Sequence, residues 1–161
     1  MNQYIKQYQK SNIETASREQ ILIMLYDGAI QFLNKAKMAI NNKDVEAAHN
    51  NLISTQNIIY EFINSLDREV APDLAARLTS LYEYFIRRLV EANMKKEIAP
   101  IDEVLGFLKS LKATWEKAIE LSQKEAMQKS SSVNVSDDDE DYDEDDEDDD
   151  DEDYEEEDDD E

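Results

Sequence analysis

Apolar residues recur at three- and four-residue spacings along four successive stretches of the chain. The first carries Leu22, Leu25, Ala29, Phe32/Leu33, Ala36 and Ile40, the second Val45, Ala48, Leu52, Thr55, Ile59, Phe62 and Leu66. The third carries Leu74, Leu78, Leu81, Phe85, Leu89 and Ala92, the fourth Ile101, Val104, Leu108, Leu111, Trp115, Ala118/Ile119 and Ser122. This is the period of amphipathic helices, each with one stripe to bury. No segment alternates with period two, so no strand is expected.

Local signals mark where these helices start. Ser17 and Gln20 have the spacing of a capping box, in which each side chain satisfies the other's free backbone N–H. Asp44 is placed to cap the second helix. Pro72 and Pro100 fall in the first turns of the third and fourth, where a missing N–H costs nothing. Asn41 and Asn42 close the first helix. The connections are short, and short connections force antiparallel neighbours. The expected architecture is all-α, an up-and-down antiparallel four-helix bundle over residues 17–129. Residues 1–16 form a polar N-terminal arm with sparse anchors Tyr4, Ile5, Tyr8 and Ile13. Residues 130–161, opening with Ser130, Ser131 and Ser132, are expected to be a linker and a disordered acidic tail.

The apolar surface is wider than a four-helix core requires. On the third helix a second row, Tyr82, Ile86 and Val90, flanks the stripe and widens the apolar arc to about 180°. On the second, Ile53 and Tyr60 lie to one side of the stripe and Ile58 to the other. Two accounts fit: neighbouring helices cover these residues, or they line a groove that receives another apolar segment. In the arm, Ile5 and Tyr8 stand one helical turn apart and could dock on the bundle or on a partner; the alternative is a frayed terminus.

Charge changes the picture in one place. From Asp137 to Glu161 every residue is Asp or Glu except Tyr142 and Tyr154, and this tail accounts for the whole formal charge of −23. The preceding 136 residues balance their acids against all 17 Lys and Arg. A neutral body with an acidic tail is a poor binder of nucleic-acid phosphates. With two glycines, Gly28 and Gly106, there is no nucleotide loop, and with no cysteine there is no thiolate chemistry. No stretch approaches the roughly 20 apolar residues of a membrane span, and the first ten residues lack the apolar core of a secretory signal.

One constellation resembles a catalytic motif. Glu46 and His49 have the Glu-x-x-His spacing of half a di-iron site in a helical bundle, but that site needs two such motifs and the chain has one histidine. His49 is therefore read as a flank of the core. Asp27, Glu61, Asp67 and Glu103 read as solvated helix charges. Neither a metal, a cofactor nor an enzymatic activity is expected.

The run from Thr15 to Leu33, including Ser17, Gln20, Leu25-Tyr26-Asp27-Gly28-Ala29 and Phe32-Leu33, resembles the entry and first helix of the flagellar export chaperone family FliS. Gln56-Asn57-Ile58-Ile59 with Ser65-Leu66-Asp67 is similar to the end of that family's second helix. Leu81-Tyr82-Glu83-Tyr84 and Leu89-Val90-Glu91-Ala92-Asn93 are similar to its third, and Leu108 through Leu111 to Trp115 to its fourth. The resemblance covers about residues 4–125, and the acidic tail departs from the family pattern. It implies a bacterial cytoplasmic chaperone whose client is the disordered C-terminal segment of flagellin. Burying that segment prevents premature polymerisation. Ile53, Tyr60, Tyr82, Ile86 and Val90 are expected to line the groove, with Asn57 and Asn93 satisfying client backbone groups at its edge. The resemblance further implies that the arm covers the empty groove and that Ile5 and Tyr8 dock the loaded chaperone on the export-gate protein FlhA. An apolar groove is also able to pair two empty copies as a weak homodimer. The competing function is a helical scaffold whose acidic tail sequesters a basic protein.

Overall fold

The computed structural model describes residues 16–133, with side chains to residue 131. The expectations placed on the arm, including Ile5 and Tyr8, and on the acidic tail lie outside the described residues. Four helices follow one another: α1 Arg18–Asn41, α2 Val45–Ser65, α3 Pro72–Lys95 and α4 Ala99–Val133. The chain divides after Gln123 into a unit containing the four-helix core and a second unit whose described part is the last turns of α4.

The predicted caps form. Ser17 accepts from the Gln20 backbone N–H at 3.2 Å while the Gln20 side chain accepts from Ser17 N–H at 3.0 Å. Asp44 accepts from Ala47 N–H at 3.0 Å, and Pro72 opens α3. The C-terminal ends of α1 and α3 are closed less conventionally. Lys43 (φ 59°) and Lys96 (φ 52°) adopt the left-handed conformation that glycine adopts most cheaply. After α1, Asp44 N–H reaches back to Ala39 O at 2.8 Å and Lys43 N–H to Ile40 O at 3.0 Å, the paired bonds of a Schellman motif.

Side-chain pairs fix an antiparallel order. His49 of α2 meets Asn93 of α3. Arg88 of α3 meets Glu103 of α4 at 2.8 Å, and one turn earlier on α3 and one turn later on α4 the Phe85 and Phe107 rings lie 5.4 Å apart. On α4 and α1, Asp102 meets Lys37 and Lys112 meets Asp27. Thus α4 runs antiparallel to both α1 and α3, as an up-and-down bundle requires. The core contains Ala29, Leu33 and Ala36 of α1, Leu52, Ile59 and Phe62 of α2, Leu78, Phe85, Leu89 and Ala92 of α3, and Ile101, Val104 and Leu108 of α4. A row of aromatic rings crosses it: Tyr26 stacks on Phe62 at 4.4 Å between centroids, Phe62 lies 5.5 Å from Tyr82, and Tyr82 6.0 Å from Phe85.

Four expectations are corrected. Tyr82 is 2% exposed and belongs to the central stripe Ala75, Leu78, Tyr82, Phe85, Leu89, Ala92; Leu81, expected in that stripe, is only partly buried beside it. The α3 stripe is rotated by one position because a buried tyrosine is tolerated where its hydroxyl finds a partner. Tyr26, absent from the predicted α1 stripe, is fully buried and supplies that partner. Val45 and Leu74 stand in the first turns of their helices, near the bundle ends, and are exposed. Finally, α4 runs through the serines expected to open a linker. Ser130 and Ser131 bond back to the carbonyls of Ala126 and Met127, and residues 107–133 contain neither glycine nor proline to stop the helix.

Candidate functional site

The expected groove residues sit along the seam between α2 and α3. Its register is set by His49 Nδ1 and Asn93 Nδ2, 2.8 Å apart. From that pair, Ile53 and Tyr60 continue along one row of α2, and Val90 and Ile86 along the facing row of α3, at helical spacings of three and four. Ile53, Tyr60 and Val90 are 37%, 49% and 41% exposed, Ile86 and Asn93 are partly buried, and Asn57 is exposed on the outer edge. The seam therefore presents apolar side chains to solvent between polar groups. Tyr82 is not among them. On the opposite side of α2, Ile58 turns toward α1, where its Cδ1 lies 3.5 Å from the position a β-carbon on Gly28 would occupy.

Gln56, on the same row as Ile53 and Tyr60, is 7% exposed, and its Nε2 has no hydrogen-bond partner. It is the one described side chain with such an unsatisfied buried atom. His49, the single histidine, is exposed and engaged with Asn93. No group of three His, Cys, Asp or Glu side chains able to hold a metal occurs among the described residues.

The outer seam between α3 and α4 is instead polar and closed. Glu103 accepts from Tyr84 Oη and Arg88 Nε, and Arg88 also pairs with Glu91. The Tyr84 hydroxyl and then the Arg88 guanidinium hold the Glu103 carboxyl below its ordinary range, while that carboxylate pushes the Tyr84 hydroxyl up.

A second apolar region, which the sequence pattern did not single out, lies at the end of the bundle where α1 starts and α2 turns into α3. A cavity of about 240 Å³ is walled by Leu22, Phe62, Leu66, Leu78, Tyr82 and Trp115 and rimmed by Ser65, Asp67, Val70 and Leu74. Val70 is 81% exposed and Leu74 52%. Leu22 and Trp115 also line a cleft of about 450 Å³ between α1 and α4. That cleft shares Ser17, Glu19, Ile119 and Gln123 with a larger one of about 640 Å³, which adds Ile23 and Met24. The three adjoin as one track, apolar at its inner end around Leu22 and Trp115 and mixed with Glu19, Glu116 and Gln123 at its outer end. At its inner wall Trp115 Nε1 donates to Tyr26 Oη at 3.0 Å, and Tyr26 and Tyr82 hydroxyls are 2.7 Å apart. Burial raises both tyrosines above their ordinary range. Trp115 and Leu22 belong to predicted stripes, but those stripes meet only once the closed bundle sets α1 beside α4.

The protein family described as "Flagellar protein FliS" matches residues 1–122. The chain belongs to the FliS family. The flagellar secretion chaperone FliS of Bacillus subtilis (strain 168) is 36% identical over 118 residues, 73% of this chain and 87% of that protein. Its counterpart in Salmonella typhimurium is 34% identical over 131 residues, 78% of this chain and 95% of the relative. A crystal structure of a flagellar chaperone from bacteria superposes with a TM-score of 0.61 over 73% of this chain and 96% of that one. At 21% identity this likeness speaks for the fold. Membership in FliS makes this a chain of a flagellar secretion chaperone family, and the two apolar surfaces are its candidate client sites. No helix among the described residues is long and apolar enough to cross a membrane.

Proposed function

We propose that this chain is a cytoplasmic export chaperone that holds the disordered C-terminal segment of flagellin along the α2–α3 seam until delivery to the export gate. The observation that carries this is the row of half-exposed apolar side chains, Ile53, Tyr60 and Val90, beside the partly buried Ile86. An apolar segment laid there removes both surfaces from water at about 25 cal/mol per Å² of apolar area. Asn57 and Asn93 stand where they can meet client backbone groups, which would otherwise lose hydrogen bonds to water. Keeping the client's own polymerisation stripe covered prevents premature assembly. Docking through Ile5 and Tyr8 on FlhA completes the cycle in this proposal.

The test is a pair of charge insertions. Ile53→Asp and Val90→Asp together place two carboxylates in the seam at positions already accessible to solvent. Binding of the flagellin C-terminal segment should weaken by at least about a hundredfold, with helix content and melting temperature close to those of the parent. Undiminished affinity would place the client elsewhere.

A further inference from the structure

We propose that the cavity beside Tyr82 is an anchor pocket for one acceptor-tipped apolar side chain of a bound polypeptide, with the Tyr82 hydroxyl as its hydrogen-bond donor. This rests on the chaperone reading but names a site apart from the α2–α3 seam.

Trp115 Nε1–H, Tyr26 O–H and Tyr82 O–H are three donors joined by two contacts. The indole N–H can only donate, so it gives its proton to Tyr26 Oη. One further proton lies between the two hydroxyls, so one hydroxyl proton has no acceptor among the described residues. If Tyr26 donates to Tyr82, the spare proton belongs to Tyr82, which lines the cavity, whereas Tyr26 does not. Either hydroxyl can donate to the other, so an acceptor placed in the cavity selects the arrangement in which Tyr26 donates to Tyr82 and Tyr82 donates to that acceptor.

Size and lining then define the occupant. An apolar cavity of about 150 Å³ suffices to bind benzene; this one is about 240 Å³. Leu22, Leu66, Leu78 and Phe62 suit an apolar body, and the buried donor requires an acceptor at the body's inner end. Glutamine, methionine and tyrosine side chains share that chemistry. The rim argues for a polypeptide. Val70 and Leu74 are exposed around the mouth, and a free molecule that fitted the cavity would leave them uncovered. A segment crossing the α2–α3 turn would cover both while it inserted one side chain.

The experiment uses the full chain labelled with ¹⁵N. Its single tryptophan, Trp115, gives one indole N–H resonance, reporting from the cavity wall. Titrations with acetophenone and with ethylbenzene compare nearly equal shapes with and without an acceptor. The parent should bind acetophenone about fivefold more tightly, the ratio that one ordinary hydrogen bond supplies, and Tyr82→Phe should abolish that preference. Neither probe moving the resonance, or a preference that persists in Tyr82→Phe, would overturn the proposal. Ala75→Met fills the cavity from a residue on its wall. With helix content retained, it should weaken the flagellin C-terminal segment about tenfold. Equal affinity of Ala75→Met and the parent would overturn the anchor role and leave the seam untouched. No binding by the parent would remove the chaperone client altogether, and this occupant with it.

Discussion

Single side chains carry much of the specificity of this bundle, and Tyr26 is the clearest case. It stacks on Phe62, accepts from Trp115 and shares a proton with Tyr82, so it ties α1 to each of the other three helices. Tyr26→Phe keeps the ring but leaves the Trp115 N–H without its acceptor, an omission that costs about 1–3 kcal/mol. Chemical denaturation should show that loss. The same burial sets a pH dependence. Both tyrosines are raised in the folded state, so the fold binds their protons more tightly than the unfolded chain does. Their contribution is fully present below an unfolded value of about 10 and is lost as pH rises beyond it. Tyrosinate absorbance should therefore show Tyr26 and Tyr82 ionising only as the helices melt. Complete ionisation of the tyrosines with the helices still intact would refute this. Tyr82 also marks a limit of sequence reading. Leu81 and Tyr82 are adjacent apolar positions, and periodicity alone permits either as the core member. The choice fell to Tyr82 because Tyr26, 56 positions away, provides its polar partner.

At the scale of elements, starts were more legible than stops. Ser17, Asp44 and Pro72 act locally, through bonds to the next turn or through a fixed dihedral, and each does what its spacing predicts. The ends of α1 and α3 use lysines in the left-handed region, a choice no residue type announces. Lys43→Gly and Lys96→Gly should each stabilise the bundle by up to about 1 kcal/mol, since glycine removes the β-carbon strain at some cost in unfolded-chain entropy. A rise of a few degrees in thermal midpoint would show it; a fall would mean that the lysine stems pack usefully where they are. The end of α4 is hard to read for a related reason. Serines are common linker signals, but with their hydroxyls bonded to carbonyls three and four residues earlier they are accommodated within the helix.

For the whole molecule, the four-helix order followed from short connections and stripe periodicity, because both depend on nearest neighbours in sequence. The α2–α3 seam was partly legible for the same reason: Ile53, Tyr60, Ile86 and Val90 are off-stripe on adjacent helices. The apolar end was not, because it joins residues of all four helices around Tyr82 and Trp115, and only the closed bundle brings them together. Membership in FliS and an apolar seam point to recognition by burial, which is insensitive to salt and carries a negative heat-capacity change. The acidic tail, by contrast, would bind a basic partner through interactions that salt screens. The most direct measurement is calorimetric titration of the full chain with the C-terminal segment of its own organism's flagellin, at several temperatures and at two salt concentrations. The account predicts saturable binding with a clearly negative heat-capacity change and an affinity nearly independent of salt. Absence of binding, or binding with negligible heat-capacity change that collapses at high salt, would contradict it.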